Sequence, residues 1–297
     1  MNRFIPRWMA LAGALLTPAG SYAQVSCTRE GLKAATDLYI AAQTKGDISA
    51  LPLAKGLGYV ENFKVVNVSE GLIQKAMKID HHRSLLDTAT CQTFTEVIVA
   101  DKDPYVLGTR LRMNHALIAE IEMLWTTTGY WGFNADNYLR YSSSEDWGAI
   151  PTAKRDTRAT LVSAANAYLD AFLEGKVDLV PWGFPCNRTE GGMHTGKGAA
   201  DDSCQVGVPS GVNIANRRFV VDETIGAVVV FCTFGAGAAT GGSGAPDTHL
   251  FRVENGNLRF VHTLTHLLQV NGPGRGGRGQ GAPANQGRGP IEFLHPE

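Results

Sequence analysis

The sequence lacks an excess of charge of either sign. Its 297 residues carry 27 Lys and Arg against 28 Asp and Glu, a formal net charge of −1. So even a balance offers no basic surface for nucleic acid or an anionic membrane. No apolar run approaches the roughly 20 residues of a membrane helix. There is no CxxC spacing of the kind that holds zinc, and neither a metal nor a cofactor is expected. A GxSxG elbow and a Walker loop are also missing, which argues against the commoner hydrolases and NTPases. What remains, 44% hydrophobic and 19% charged residues, is an ordinary globular composition long enough for one large or two moderate domains.

The first 23 residues read as a targeting segment. Arg3 and Arg7 precede the nine-residue apolar run Trp8 to Leu16, and Ser21-Tyr22-Ala23 makes a small-residue exit. A basic start, a short apolar stretch and an A-x-A-like site are the pattern of a cleaved secretory signal. Its removal leaves 25 basic against 28 acidic side chains, a net charge of −3. The expected location is the periplasm or the outside of the cell, with no membrane association after cleavage.

Export bears on the five cysteines. In an oxidising compartment paired thiols become structural disulfides. Cys186 and Cys204 flank a Gly-rich stretch without periodic apolar residues, and a bridge there is worth about 3 kcal/mol on the chain-entropy model. Cys27 and Cys91 are the natural second pair. Cys232, in Val228-Val-Val-Phe-Cys232, reads as a buried free thiol.

The chain repeats itself. Leu32 to Gly46 resembles Leu161 to Gly175 at an offset of 129, Arg83 to Asp87 resembles Arg218 to Asp222 at 135, and Arg112 to Glu122 resembles Arg252 to His262 at 140. Offsets that rise in order are what a duplication with later insertions produces. The boundaries that follow are 24–150 for a first unit, 151–270 for a second, and a flexible Gly/Arg/Pro-rich tail at 271–297. Each unit opens with an amphipathic helix: Leu32, Ala35, Leu38, Tyr39 and Ala42 form one stripe, and Leu161, Ala164, Ala165, Tyr168 and Phe172 the other, with Gly46 and Gly175 as C-caps. Strands follow at 93–99 and 228–234, and 249–253 with 258–264 forms a hairpin through Asn255-Gly256. Helices on an antiparallel sheet make an α+β architecture.

On these features, and on Cys186-Asn-Arg188-Thr-Glu190-Gly-Gly192, Pro246-Asp247-Thr-His249 and Arg252-Val-Glu-Asn-Gly256, the chain resembles a secreted fungal and bacterial family of unknown function. That family is built from two NTF2-like (SnoaL, ketosteroid-isomerase-like) repeats, and the resemblance spans about residues 27–266. It implies a tandem duplication of an NTF2-like cone, a curved sheet packed by N-terminal helices. Such folds carry isomerases, dehydratases, cyclases and epoxide hydrolases as well as ligand carriers and association modules.

An apolar hollow between sheet and helix suits proton transfer, because burial brings a carboxylate's pKa toward the working range. The catalytic candidates are Glu190, His249, His262 and Asp247. Those for substrate binding are Arg188, Arg252 and His194, with Tyr59 and Glu61 in the first unit. Arg218 and Asp222, four apart on a strand, read as a structural ion pair, as do Arg83 and Asp87. Trp125, Tyr130, Trp131 and Phe133 read as packing. The leading expectation is an exported, cofactor-independent lyase or isomerase acting by carboxylate/His acid-base chemistry on a small carbonyl-bearing or aromatic compound. A non-catalytic small-molecule-binding or self-associating module and a hydrolase using carboxylate-activated water are the alternatives.

Overall fold

The structure, a computed structural model, describes residues 27–205, 207–235 and 244–268. The targeting segment at 1–23 and the tail at 271–297 lie outside the described residues. Thr28 begins the first helix, α1 (Arg29–Lys45), by accepting from the Gly31 N–H at 3.1 Å, and Gly46 ends it in the left-handed region at φ 64°. The apolar stripe of α1 lies on a sheet of six strands: β1 (Leu53–Glu61), β2 (Lys64–Val65), β3 (His81–Asp87), β4 (Gln92–Val99), β5 (Tyr105–Asn114) and β6 (Leu117–Thr127). A short helix, α2 (Ala135–Ser142), leads into the second half. There Thr157 caps α3 (Arg158–Glu174), and Gly175 closes it at φ 68°. The strands that follow are β7 (Trp182–Glu190), β8 (Met193–His194), β9 (Ile214–Asp222), β10 (Ala227–Phe234), β11 (Ala245–Glu254) and β12 (Asn257–Thr265).

The two sheets have the same strand order, β2-β1-β6-β5-β4-β3 and β8-β7-β12-β11-β10-β9. In each, one parallel pair (β1 with β6, β7 with β12) interrupts an otherwise antiparallel sheet. Both are therefore mixed, not purely antiparallel. The hairpin turn between β11 and β12 places Asn255 at φ 53° and Gly256 at φ 75°, the two consecutive positive values that an Asn-Gly turn accommodates. Disulfides join Cys27 to Cys91 and Cys186 to Cys204, and Cys232 is free and buried. No helix among the described residues is long and apolar enough to cross a membrane.

Three apolar clusters hold the halves. One packs α1 on the first sheet, one packs α3 on the second, and a third joins the two sheets directly through Leu85, Phe94, Val106, Val229, Phe231 and Leu250. Each sheet thus has a helix-covered face and a seam face, and both are buried. Phe94 and Phe231 meet edge-on in the seam, their ring centroids 5.9 Å apart.

Two aspartates clasp the seam reciprocally. Asp222 Oδ2 accepts from the Leu86 N–H at 3.0 Å while Oδ1 meets Arg29 at 2.7 Å. Asp87 Oδ2 accepts from the Val221 N–H at 2.9 Å while Oδ1 meets Arg158 at 2.8 Å. The expected pairs within one strand are therefore absent. Arg218 instead reaches Glu122 of the first half, and Arg83 binds Glu96 at 2.9 Å.

Candidate functional site

The hairpin register decides which candidates share a face. His249 lies opposite Thr263 and Leu250 opposite His262. Side chains alternate along a strand, so His249, Phe251 and Val253 turn toward α3, while Leu250 and His262 turn into the seam. His262 therefore does not join Glu190 and His249. It is a charge link in the seam, with Nδ1 2.9 Å from Glu96 and Nε2 2.7 Å from Glu145.

Arg252 also faces away from α3. Its guanidinium donates to the carbonyl of Gly148 at 2.9 Å, to that of Ile225, and to Glu254 at 3.0 Å. Those bonds tie the chain between the halves to the hairpin, which replaces the expected substrate contact. His194 stacks on Tyr141, centroids 3.7 Å apart, and shares a hydrogen bond with Thr189 at 2.9 Å. The glycines 191 and 192 press on backbone atoms of residues 131–134 and leave no room there for a ligand.

The helix-covered face of the second sheet gathers Tyr168 from α3, Arg188 and Glu190 from β7, Cys232 from β10, and Asp247 and His249 from β11. Arg188 is 7% exposed. It donates to the Tyr168 hydroxyl over 3.4 Å and stands 3.5 Å from Glu190, and its Nε has no partner. Glu190, at the rim, accepts from the Trp131 indole at 2.7 Å. Trp131, expected to pack in the core or between the halves, is 43% exposed and covers the rim.

Deeper in the same face, Asp247 and His249 are buried, with Asp247 Oδ2 3.4 Å from His249 Nδ1. Burial, and then the charge of Glu190, push the Asp247 carboxyl well above the ordinary carboxylate range. Burial, and then Arg188 and Arg217, hold the His249 imidazole down to about 3. Burial and Asp247 likewise raise the Cys232 thiol. The face is not an open hollow: the rings of Tyr168, Phe172 and Phe251 surround His249 with centroids 5.7 to 6.0 Å away. Two surface grooves lie elsewhere, one along α3 by Ala159, Ser163 and Pro181, the other beside Asp101 and Asn134.

The first half fills the equivalent places differently. β1 and β7 hold the same position in their sheets, with Tyr59 and Glu61 where the second half has Arg188 and Glu190. Tyr59 donates to Glu61 and accepts from the Ile73 N–H at 3.2 Å. Glu61 also accepts from the Leu72 N–H and from the Trp125 indole at 3.1 Å. These bonds fasten the 72–74 turn to the sheet. The pair expected to bind substrate in the first half is thus engaged with its own chain.

Tyr168 and Cys232 went unread as site residues, because their apolar neighbours placed them in a core. The usable signal was alternation: Cys232 follows Val228 and Val230 on one face, and Asp247 and His249 are two apart on the neighbouring strand.

Residues 154–265 match a family described as "Domain of unknown function (DUF8021)". No curated protein matches the sequence. Among solved structures, the chain is similar to an NTF-2 like protein of unknown function from Burkholderia xenovorans LB400, with 12% identity over 39% of this chain and 89% of that one and a TM-score of 0.27.

Proposed function

We propose that the chain is an exported lyase or isomerase that binds a small anionic or carbonyl-bearing compound at the rim of the helix-covered face of the second sheet. The observation that carries this is Arg188, a buried guanidinium with one long hydrogen bond and an unpartnered Nε. A buried cation with donors to spare stabilises a carboxylate, or the oxyanion that develops as a proton leaves the neighbouring carbon. Glu190 stands beside it and serves as the base; the Trp131 indole fixes one of its oxygens and leaves the other toward Arg188. In the first half every corresponding polar group is engaged by the chain itself, so the chemistry is assigned to the second. Two disulfides support action outside the cytosol, with the basic and apolar N-terminus as its signal.

A non-catalytic binding module is the second reading, favoured by the engagement of both Glu190 oxygens, one by the Trp131 indole and one by Arg188. Both are tested with a panel of 2-oxo and 3-oxo carboxylates, following binding by thermal shift and exchange of the α-proton in heavy water by NMR. Wild type is expected to bind and to catalyse exchange. Arg188→Met should weaken binding by about tenfold to a hundredfold, the worth of a charged hydrogen bond, and Glu190→Gln should slow exchange by about a hundredfold while binding persists. Binding without exchange in wild type selects the second reading. Binding unaltered by Arg188→Met refutes the assignment of the site.

A further inference from the structure

Below that rim three ligand atoms converge. Cys232 Sγ lies 3.7 Å from His249 Nδ1, which lies 3.4 Å from Asp247 Oδ2, and the three fall within 4.8 Å of one another. The geometry points to a site for a divalent cation of the zinc class, held by Cys232, Asp247 and His249.

The spacings carry the argument. Around a tetrahedral zinc, with sulfur at about 2.3 Å and nitrogen or oxygen at about 2.0–2.1 Å, neighbouring ligand atoms stand about 3.4–3.6 Å apart. The two contacts at His249 Nδ1, 3.7 and 3.4 Å, are close to that length. As a hydrogen bond the His249–Asp247 contact is poor, because an imidazole bond to a carboxylate closes to about 2.7–3.2 Å, while the Cys232–His249 contact at 3.7 Å is also of a length that a thiol hydrogen bond takes. Asp247 Oδ2, on a fully buried residue, makes no hydrogen bond at all. A cation between the three atoms would meet it.

The donor set selects the metal. Thiolate and imidazole suit zinc and its neighbours and not magnesium or calcium, which take oxygen. One thiolate and one carboxylate also neutralise a dication, which suits a buried site. Thr265 donates to the other Asp247 oxygen at 3.2 Å and so orients the carboxylate. Three protein ligands leave a fourth position for water or a bound compound, as in catalytic and not structural zinc sites. Sequence spacing hides the set because Cys232 and Asp247 become neighbours only through the β10–β11 register.

A Lewis acid below Arg188 and Glu190 would polarise a carbonyl held at the rim. That use rests on the function proposed above; the binding of metal stands on the three atoms alone. The test uses the full chain, stripped with a chelator and without reductant so that the disulfides survive, then equilibrated with buffered zinc chloride. Wild type is expected to retain about one zinc per chain by mass spectrometry, and Cys232→Ser and His249→Ala should each weaken binding by more than about a hundredfold. Cobalt-loaded wild type should show the thiolate-to-cobalt charge-transfer band, and Cys232→Ser should not. Glu190→Gln should keep full metal content while losing proton exchange, so the two readings fail separately. The site is refuted if wild type holds no zinc, if Cys232→Ser and His249→Ala hold as much as wild type, or if the wild-type cobalt spectrum lacks the thiolate band.

Discussion

Replacing His262 with alanine is expected to lower stability by about 3–5 kcal/mol, the cost of removing one partner from a buried charge network. The imidazolium donates to Glu96 from one ring nitrogen and to Glu145 from the other, and all three side chains are buried in the seam. Glu96 would keep Arg83 at 2.9 Å and Tyr138 at 2.8 Å, but Glu145 would keep only the Trp147 indole at 2.8 Å. Burial alone would discourage the charged imidazole. Glu145 and Glu96 overcome that and push His262 up to about 9.

Because its folded pKa is raised above the ordinary 6.5, the stability that the charge contributes is full below about pH 6.5. It is lost as pH rises through 9, by about 3 kcal/mol in all. Glu96 gives the acid side: burial opposes its ionisation, yet His262 and Arg83 hold its carboxyl at about 2. That contribution is present above about pH 4.5 and lost as pH falls through 2. The two shifts share the His262–Glu96 contact and therefore do not add. Urea unfolding at pH 6, 8 and 10 checks the basic limb. The difference between wild type and His262→Ala should shrink steadily toward pH 10, and a constant difference would refute this role for the imidazolium.

Asp222→Ala is expected to cost a similar 3–5 kcal/mol, and Asp222→Asn less, about 1–2 kcal/mol. Asp222 has three jobs. It satisfies the Leu86 N–H of the other sheet, a buried donor that alanine would strand, it pairs with Arg29, which is 35% exposed, and its Oδ1 accepts from the Thr224 N–H at 3.0 Å. Solvent screens the second contact, so its loss costs little. An asparagine keeps an acceptor oxygen for Leu86 and forfeits the charge and the bond from the Thr224 N–H. Unfolding of the disulfide-intact protein in urea measures both, and equal losses for the two variants would mean that the charge, not the acceptor, holds the seam. The reciprocal contact makes the same ordering hold at Asp87, which in addition accepts from Ala89 and Thr90 at 3.2 and 3.1 Å.

The helices were legible because one side of each is wet: the stripes at Leu32 to Ala42 and Leu161 to Phe172 stand out against polar neighbours. The Asn255-Gly256 turn and both cystine pairs were legible for local or compartmental reasons. What could not be read was the facing of the strands. Alternation reveals a buried face only when the other face meets water, and here both are covered, so Ala227 to Thr233 is buried at every position. His249 and His262 thus looked alike, although one lies under α3 and the other between the sheets. Partner choice failed for a related reason. Arg218 and Asp222 find their charges 96 and 193 residues away, on elements that the seam brings near and no local pattern announces.

The contrast between Tyr59 with Glu61 and Arg188 with Glu190 has a consequence for how the molecule tolerates change. A strand order that recurs in both sheets permits a division of labour, in which one half acts as ballast and the other holds a buried cation with one nitrogen unpartnered. Damage to the ballast should show as melting, and damage to its sibling as silence in a protein that still stands.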